Sequence, residues 1–438
     1  MSTRKRIAIT GMSINTPIGD TLDGFLANLL AGKSALSCWK HIDTSRIYSK
    51  IGADLSAYPV AAKLASFEGK IPADVHKRLR RLVNKAPFST RLSMLLAVDG
   101  ALDAGLFDAG YDPTNMSAIV AGHNIAFNHQ FTNHNQLLEE PDYIDPLLAL
   151  TGLDTDHAGS VSEVLNVKGP IYTIGAACAS GNTAARMAID EIRYHGIDAA
   201  LVVGAVLDFS PLELHAMALM GAISFQSFHD TPEKASRPYD TKREGFIPAH
   251  GGAVLVLEEW EAAKRRGAKI YAEIIAIEAN SDANHLPNPS EEGQSRLMQR
   301  VLKACDMRPE QIDYINAHAT STPLGDLTEV RSIKRVFGDH VKKLKVNATK
   351  SMLGHTCWAA PTVETVAAVL QMNAGKLHPS INIDEMDPEV DIDVCAGKAV
   401  EHKVRYCMKN SFGFGGINSV AILRQPDADE VKLPGSAA

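Results

Sequence analysis

The sequence predicts a layered α/β protein assembled from two related halves, and three observations carry that expectation. Strand-like and helix-like patterns alternate along all 438 residues, as they do when helices cover the faces of a sheet. A segment near the start, Ile14-Asn15-Thr16-Pro17-Ile18-Gly19-Asp20, returns as Thr320-Ser321-Thr322-Pro323-Leu324-Gly325-Asp326, each time after a strand and before a helix. The turn of small residues at Cys178, which leads into a helix, has a counterpart at 350–355 ahead of an alanine-rich helix. Two echoes in the same order point to a duplicated α/β unit.

Taken in order, apolar runs of strand length stand at 7–10, 118–121, 171–174, 200–203, 253–257, 270–276, 314–317, 345–347 and 420–423. Helical periodicity marks 22–31, 89–104, 183–195, 294–304, 327–337 and 362–374. The polar stretch 258–269 is the natural seam, so the expected halves are 1–262 and 263–425, followed by a polar, frayed tail at 426–438. The start is basic, but the apolar run at Ile7, Ala8 and Ile9 is short and broken by Thr10 and Gly11. It reads as a first strand and not a signal peptide. No run approaches the length of a membrane span. A net charge of −7 argues against a nucleic-acid binder. The six cysteines are scattered without metal-ligand or paired spacing. That argues against a metal site or a disulfide framework and suits a reducing cytoplasm.

Candidate chemistry begins at Cys178, set in Gly175-Ala176-Ala177-Cys178-Ala179-Ser180-Gly181. A strand, a small-residue turn and a helix start present the thiol as a nucleophile elbow does. The N–H groups and dipole at the helix start are expected to favour thiolate. Three further segments place reactive or glycine-rich chemistry at strand ends. They are 315–322 with His318, 347–355 with Lys350 and His355, and 409–418, read as a glycine-rich loop carrying Phe412 and Phe414. Each alone has an ordinary reading: a small buried cysteine, a core histidine, a turn. Their joint occurrence across a duplication points to one site.

These segments resemble the β-ketoacyl-acyl-carrier-protein synthases, the decarboxylating condensing enzymes of fatty-acid and polyketide synthesis. The family patterns T-A-C-[AS]-[ST], N-A-H-G-T-S-T-P-x-G-D, K-S-x-x-G-H with a following A-A-x-x-x-E, and N-S-F-G-F-G-G-x-N stand here at 176–180, 316–326, 350–355 with Glu364, and 410–418. Arg237-Pro238-Tyr239-Asp240, the segment 243–246 and His378-Pro379-Ser380-Ile381-Asn382 also fit, and the likeness runs from about residue 5 to 424.

The resemblance implies a thiolase fold, five-layered α-β-α-β-α, built from the two halves. It implies that Cys178 takes an acyl group from a phosphopantetheine thioester and that malonyl-carrier loses CO2 to give an enolate. His318 and His355 would stabilise that enolate, which attacks the acyl group on Cys178. The backbone N–H groups of Cys178 and Phe414 would form an oxyanion hole. Phe412, Gly413 and Gly415 would gate it with Phe414, and Lys350 would pair with Glu364. Thr320 and Thr322 would grip the pantetheine arm, and Ile125 and Trp358 would line the acyl pocket. Lys77, Arg78, Arg80 and Arg81 form a basic run suited to docking an acidic acyl carrier protein. No cofactor is implied beyond the carrier's own phosphopantetheine. The expected assembly is a homodimer, or a heterodimer with a paralogous subunit, in the cytoplasm.

The chain departs from the pattern at Ala319, where glycine is usual, at His250, where an acidic residue is common, and at Cys357, Trp358 and Pro361. These departures favour a specialised polyketide enzyme over a housekeeping elongase. Two alternatives stay open: decarboxylation or acyl transfer without C–C bond formation, and a partner subunit of a heterodimer, against which the intact Cys178 argues.

Overall fold

The structure, a computed structural model, describes residues 5–426. Residues 1–4, with Arg4 of the basic start, and the expected tail from 427 onward lie outside the described residues. A ten-stranded mixed sheet runs through the molecule in the order 345–347, 314–316, 406–413, 417–424, 272–281, 7–15, 252–259, 199–204, 116–121, 171–174. Counting each half's five strands in chain order, both read third, second, fourth, fifth, first from the outside inward. The two first strands meet at the centre and pair antiparallel, Ile7 with Ile274 and Ile9 with Ala272. In each half the second strand pairs parallel with both the third and the fourth.

Layering follows from the period-two alternation of side chains along the strands. In the first half, Ile119, Ala121, Val202, Leu255 and Leu257 face a central core. Their neighbours Val120, Val203, Val254 and Val256 face an outer one. The second half repeats this: Ala421 and Leu423 point inward, while Val420 and Ile422 point outward. The central core is filled by the helices Ser180–Tyr194 and Ala360–Ala374. The second of these is buried nearly all round, which explains why its sequence is apolar without a polar stripe. Phe88–Asp103 and Thr155–Leu165 cover the outer face of the first half. Glu291–Ala304 and Pro323–Phe337 cover that of the second. The result is five layers.

Two elements differ from the sequence reading. The segment 409–418 is not a loop: Tyr406–Gly413 and Ile417–Arg424 form an antiparallel hairpin. Its tight turn uses Gly415 and Gly416 at φ of 80° and 69°. Further helices lie outside the sequence reading, among them Phe127–Glu139, which is polar, and Ala73–Val83, which carries the basic run and buries Val75, Leu79 and Val83 on one face. Among the described residues no helix is long and apolar enough to cross a membrane.

Gly204 ends a strand directly beneath the helix Ala360–Ala374: a Cβ there would lie 2.8 Å from Thr362 Cβ and 3.2 Å from the Ala359 backbone. Gly204→Val is expected to cost about 1–3 kcal/mol by overpacking, measured as a lowered denaturant midpoint.

Candidate active site

Cys178 follows the edge strand Ile171–Ile174 on a strained turn, in which Ala177 takes a φ of 46°. The Ser180 hydroxyl knits this turn, accepting from Ala176 N–H at 2.8 Å and donating to Ala177 O at 2.6 Å. The hairpin end packs against it so closely that a Cβ on Gly413 would sit 3.1 Å from Cys178 N. The Phe414 N–H is therefore within reach of the sulfur, where it favours the thiolate. Burial nevertheless dominates and pushes the thiol up to about 11, against the lowering by Lys350 and these N–H groups. This overturns the expectation of a thiolate. A helix dipole is worth about half a charge, and desolvation of a buried sulfur outweighs it.

His355 is held by backbone pairing, with its N–H donating to Ile247 O at 2.7 Å and its carbonyl accepting from Ala249 N–H at 3.0 Å. Its ring Nδ1 accepts from Cys357 N–H at 3.1 Å, which places the ring proton on Nε2. That Nε2 is buried and has no hydrogen-bond partner. His318 stands two residues past the strand Tyr314–Asn316. The Glu329 carboxylate accepts from the main-chain N–H groups of His318 and Ala319 at 2.9 and 2.8 Å, and from Asn410 Nδ2 at 2.8 Å. The two imidazoles meet edge-on with centroids 5.6 Å apart, and His318 packs against Phe412 at 5.8 Å. Burial first, and then the field of Lys350, holds both rings well below the usual imidazole range, so both are neutral.

Behind them lies a buried ionic cluster. Lys350 Nζ donates to Glu364 Oε1 and, at 2.7 Å, to the His318 carbonyl. Lys409 Nζ lies 2.9 Å from Glu364 Oε2 and donates to Ser411 Oγ. Burial lowers Lys409 to about 8. Lys409 escaped the sequence reading because a lysine beside Asn and Ser reads as solvent-facing; its only signal was its place at the head of the N-S-F-G-F-G-G motif. Glu329 was missed too, being an ordinary acidic residue of a helix.

Cys178, His318, His355, Phe412, Gly413 and Phe414 line one chamber of about 340 Å³. Thr320 and Thr322 line its mouth and bond to each other at 3.0 Å, while Thr322 also caps the helix Pro323–Phe337. The segment 237–243 clamps this mouth. Ser321 Oγ accepts from Arg237 N–H at 3.0 Å, and Arg243 donates to the carbonyls of Thr322 and Pro323. Phe246, which closes the family-like segment 243–246, stands 5.2 Å from the His355 ring and 6.3 Å from Phe414.

Ile125 and Trp358 do not line the chamber; they pack with Cys178 in the core on its other side. Of the basic run, Arg78 is half-buried and bonds Asp74 and the Val164 carbonyl, and Arg81 pairs with Glu163. Lys77 and Arg80 are exposed. Ala319 takes a φ of 21°, an unusual value for a residue with a Cβ. His250 is buried, accepts from Leu55 N–H at 3.0 Å and is packed against Trp39, Phe88 and Phe209.

Fold and chamber together define a class, the acyltransferases built on the thiolase fold. Within it, the chain belongs to the beta-ketoacyl synthase family: the model of the family's N-terminal domain matches residues 4–263 and that of its C-terminal domain matches 271–384. It is 34% identical over 423 residues to 3-oxoacyl-[acyl-carrier-protein] synthase 2 of Coxiella burnetii, covering 96% of this chain and 98% of the relative. It is 30% identical over 418 residues to the polyketide biosynthesis malonyl-ACP decarboxylase PksF of Bacillus subtilis, covering 95% and 96%. Among solved structures, the ishigamide ketosynthase/chain length factor superposes with a TM-score of 0.84 at 28% identity, over 97% of this chain and 100% of that one.

The neutral state of His355 is directly observable. Long-range ¹H–¹⁵N correlation is expected to find a neutral Nε2–H tautomer at pH 6, where a free histidine (pKa ≈ 6.5) is mostly protonated. Its lowered pKa means protonation begins only well below that.

Proposed function

We propose that this chain performs decarboxylating Claisen condensation of an acyl thioester held on Cys178 with a malonyl thioester carried on acyl carrier protein. The Cys178 thiol attacks the incoming acyl thioester, its sulfur forms the new S–C bond, and its proton leaves with the carrier thiol. Malonyl-carrier then occupies the emptied chamber and loses CO2. The developing enolate oxygen accepts from His355 Nε2–H and His318. The enolate carbon attacks the acyl carbonyl, whose oxyanion is met by the N–H groups of Cys178 and Phe414. Collapse expels Cys178 as a thiolate, which takes a proton from water to restore the thiol, and leaves a β-ketoacyl-carrier. The observation that carries this reading is the His355 Nε2–H, buried, neutral and without a partner, in the same chamber as the Cys178 sulfur. Two neutral donors can stabilise an enolate without giving it a proton. Lys350 and Glu364 act as positioning residues, Thr320 and Thr322 hold the pantetheine arm, and Phe414 moves with Gly415 to admit each substrate.

In the same reading the first half, 1–262, supplies the nucleophile, and the second, 263–425, supplies both imidazoles and the hairpin. No separate cofactor takes part. Two copies associate through the open edge strand Ile171–Ile174, next to the exposed Leu147, Leu150 and Leu153. The pathway is a specialised polyketide one in the cytoplasm.

A second reading, decarboxylation without condensation, is favoured by two observations: the Cys178 thiol stays protonated at rest, and one relative is named a malonyl-ACP decarboxylase. Product analysis separates the two. Condensation yields a β-ketoacyl-carrier and an acyl adduct on Cys178 by intact mass, both lost in Cys178→Ala; CO2 release with neither product would sink it. His355→Ala is expected to slow CO2 release about 10²–10³-fold, the usual loss for one such donor. Arg80→Glu is expected to lower kcat/KM for malonyl-carrier at least tenfold more than for a small malonyl thioester, measured side by side at low salt.

A further inference from the structure

Among the described residues, the Cys178 sulfur stands between a chamber and a packed core. The chamber of about 340 Å³ lies toward the imidazoles and the hairpin. It sits at the small end of the range for ligand pockets, roughly 300–1,000 Å³, and the pantetheine arm must itself lie there. The opposite side is filled. Trp358 is buried and stacks on His123 with ring centroids 4.1 Å apart at 27°. His123 in turn presses on the strand end that leads to the Cys178 turn: a Cβ at Gly175 would come within 2.8 Å of its ring. Ile125 and Trp358 close the remaining gap over Gly122, where a Cβ would fall 2.6 Å from Ile125 and 3.4 Å from Trp358. Ile125, Cys357 and Trp358 share a packed core with Cys178.

The filled side also holds two buried polar atoms. Trp358 Nε1 is a buried donor without a partner, and Glu213 Oε2 is a buried acceptor without one. The field of Glu213 reaches Cys357.

We infer that the Trp358–His123 stack is the specificity wall of this enzyme and restricts the acyl group held on Cys178 to acetyl or butyryl size. This rests on the acyl-enzyme reading proposed above. The stack is an aromatic contact over a half-buried histidine that burial keeps neutral, so it has no charge to draw in water and no gap for a methylene run to enter.

The test uses the full chain with acetyl, butyryl and octanoyl N-acetylcysteamine thioesters, small donors that remove carrier docking from the comparison. Adduct formation on Cys178 is followed by intact mass. The unmodified enzyme is expected to load acetyl and butyryl at least tenfold faster than octanoyl. Trp358→Ala is expected to raise the octanoyl-to-acetyl loading ratio at least tenfold. His123→Ala removes the stacking partner at a half-buried position, and should move the ratio in the same direction if the tryptophan variant does not fold. Octanoyl loading as fast as acetyl in the unmodified enzyme would overturn this inference and leave the acyl-enzyme reading standing. So would an unchanged ratio in both variants. Absence of any adduct would remove both.

Discussion

One carboxylate buried between two ammonium groups holds the chamber in shape. Glu364 comes from the central helix, Lys350 from the turn before His355, and Lys409 from the hairpin that carries Phe412 and Phe414. Lys350 reaches in addition to the carbonyl of His318. Four segments are thus tied together, three of them through Glu364 and the fourth through Lys350. Deleting one member of such a buried cluster generally costs about 3–5 kcal/mol, because the remaining charges lose their counter-ions. The cluster carries one excess positive charge, and this adds to burial in keeping both imidazoles neutral. The same interaction therefore fixes where the donors stand and which protonation state they have.

The duplication explains why a site of this complexity could be assembled at a seam. In each half the third strand leads into a small-residue turn and a central helix; the first half puts Cys178 on that turn and the second half puts His355 there. In each half a histidine stands two residues past the second strand, His123 in one and His318 in the other. Equivalent scaffold positions have been given different tasks. His318 faces the chamber, whereas His123 is stacked against Trp358 on the closed side.

Much of this was legible in the sequence. The segments around Cys178, His318 and His355 declare themselves because a backbone making close turns at strand ends admits only small neighbours, and because apolar strands precede them. The alternation of strands and helices gave the five layers once the duplication was noticed. What stayed hidden did so for physical reasons. The segment 409–418 reads as a loop from its three glycines, although only Gly415 and Gly416 serve the turn, and Gly413 is required by the approach of Cys178. Lys409 is fully buried by neighbours that no local pattern announces. The helix-dipole argument for a thiolate failed because it accounts for half a charge and omits the loss of water around the sulfur. The place of Trp358 depends on which side of Cys178 is open, a tertiary fact.

The two ends of the long sheet are unequal. At one end the strand Lys345–Asn347 has only three residues and is screened, with Val346 N–H already donating to Asp393 O at 2.9 Å. At the other, Ile171–Ile174 has a strand on one side only, and Ile171 is exposed. In the homodimer proposed above, that border would meet its own copy across a two-fold axis. Pairing of this kind takes a strand edge out of reach of further chains and so guards against edge-to-edge growth.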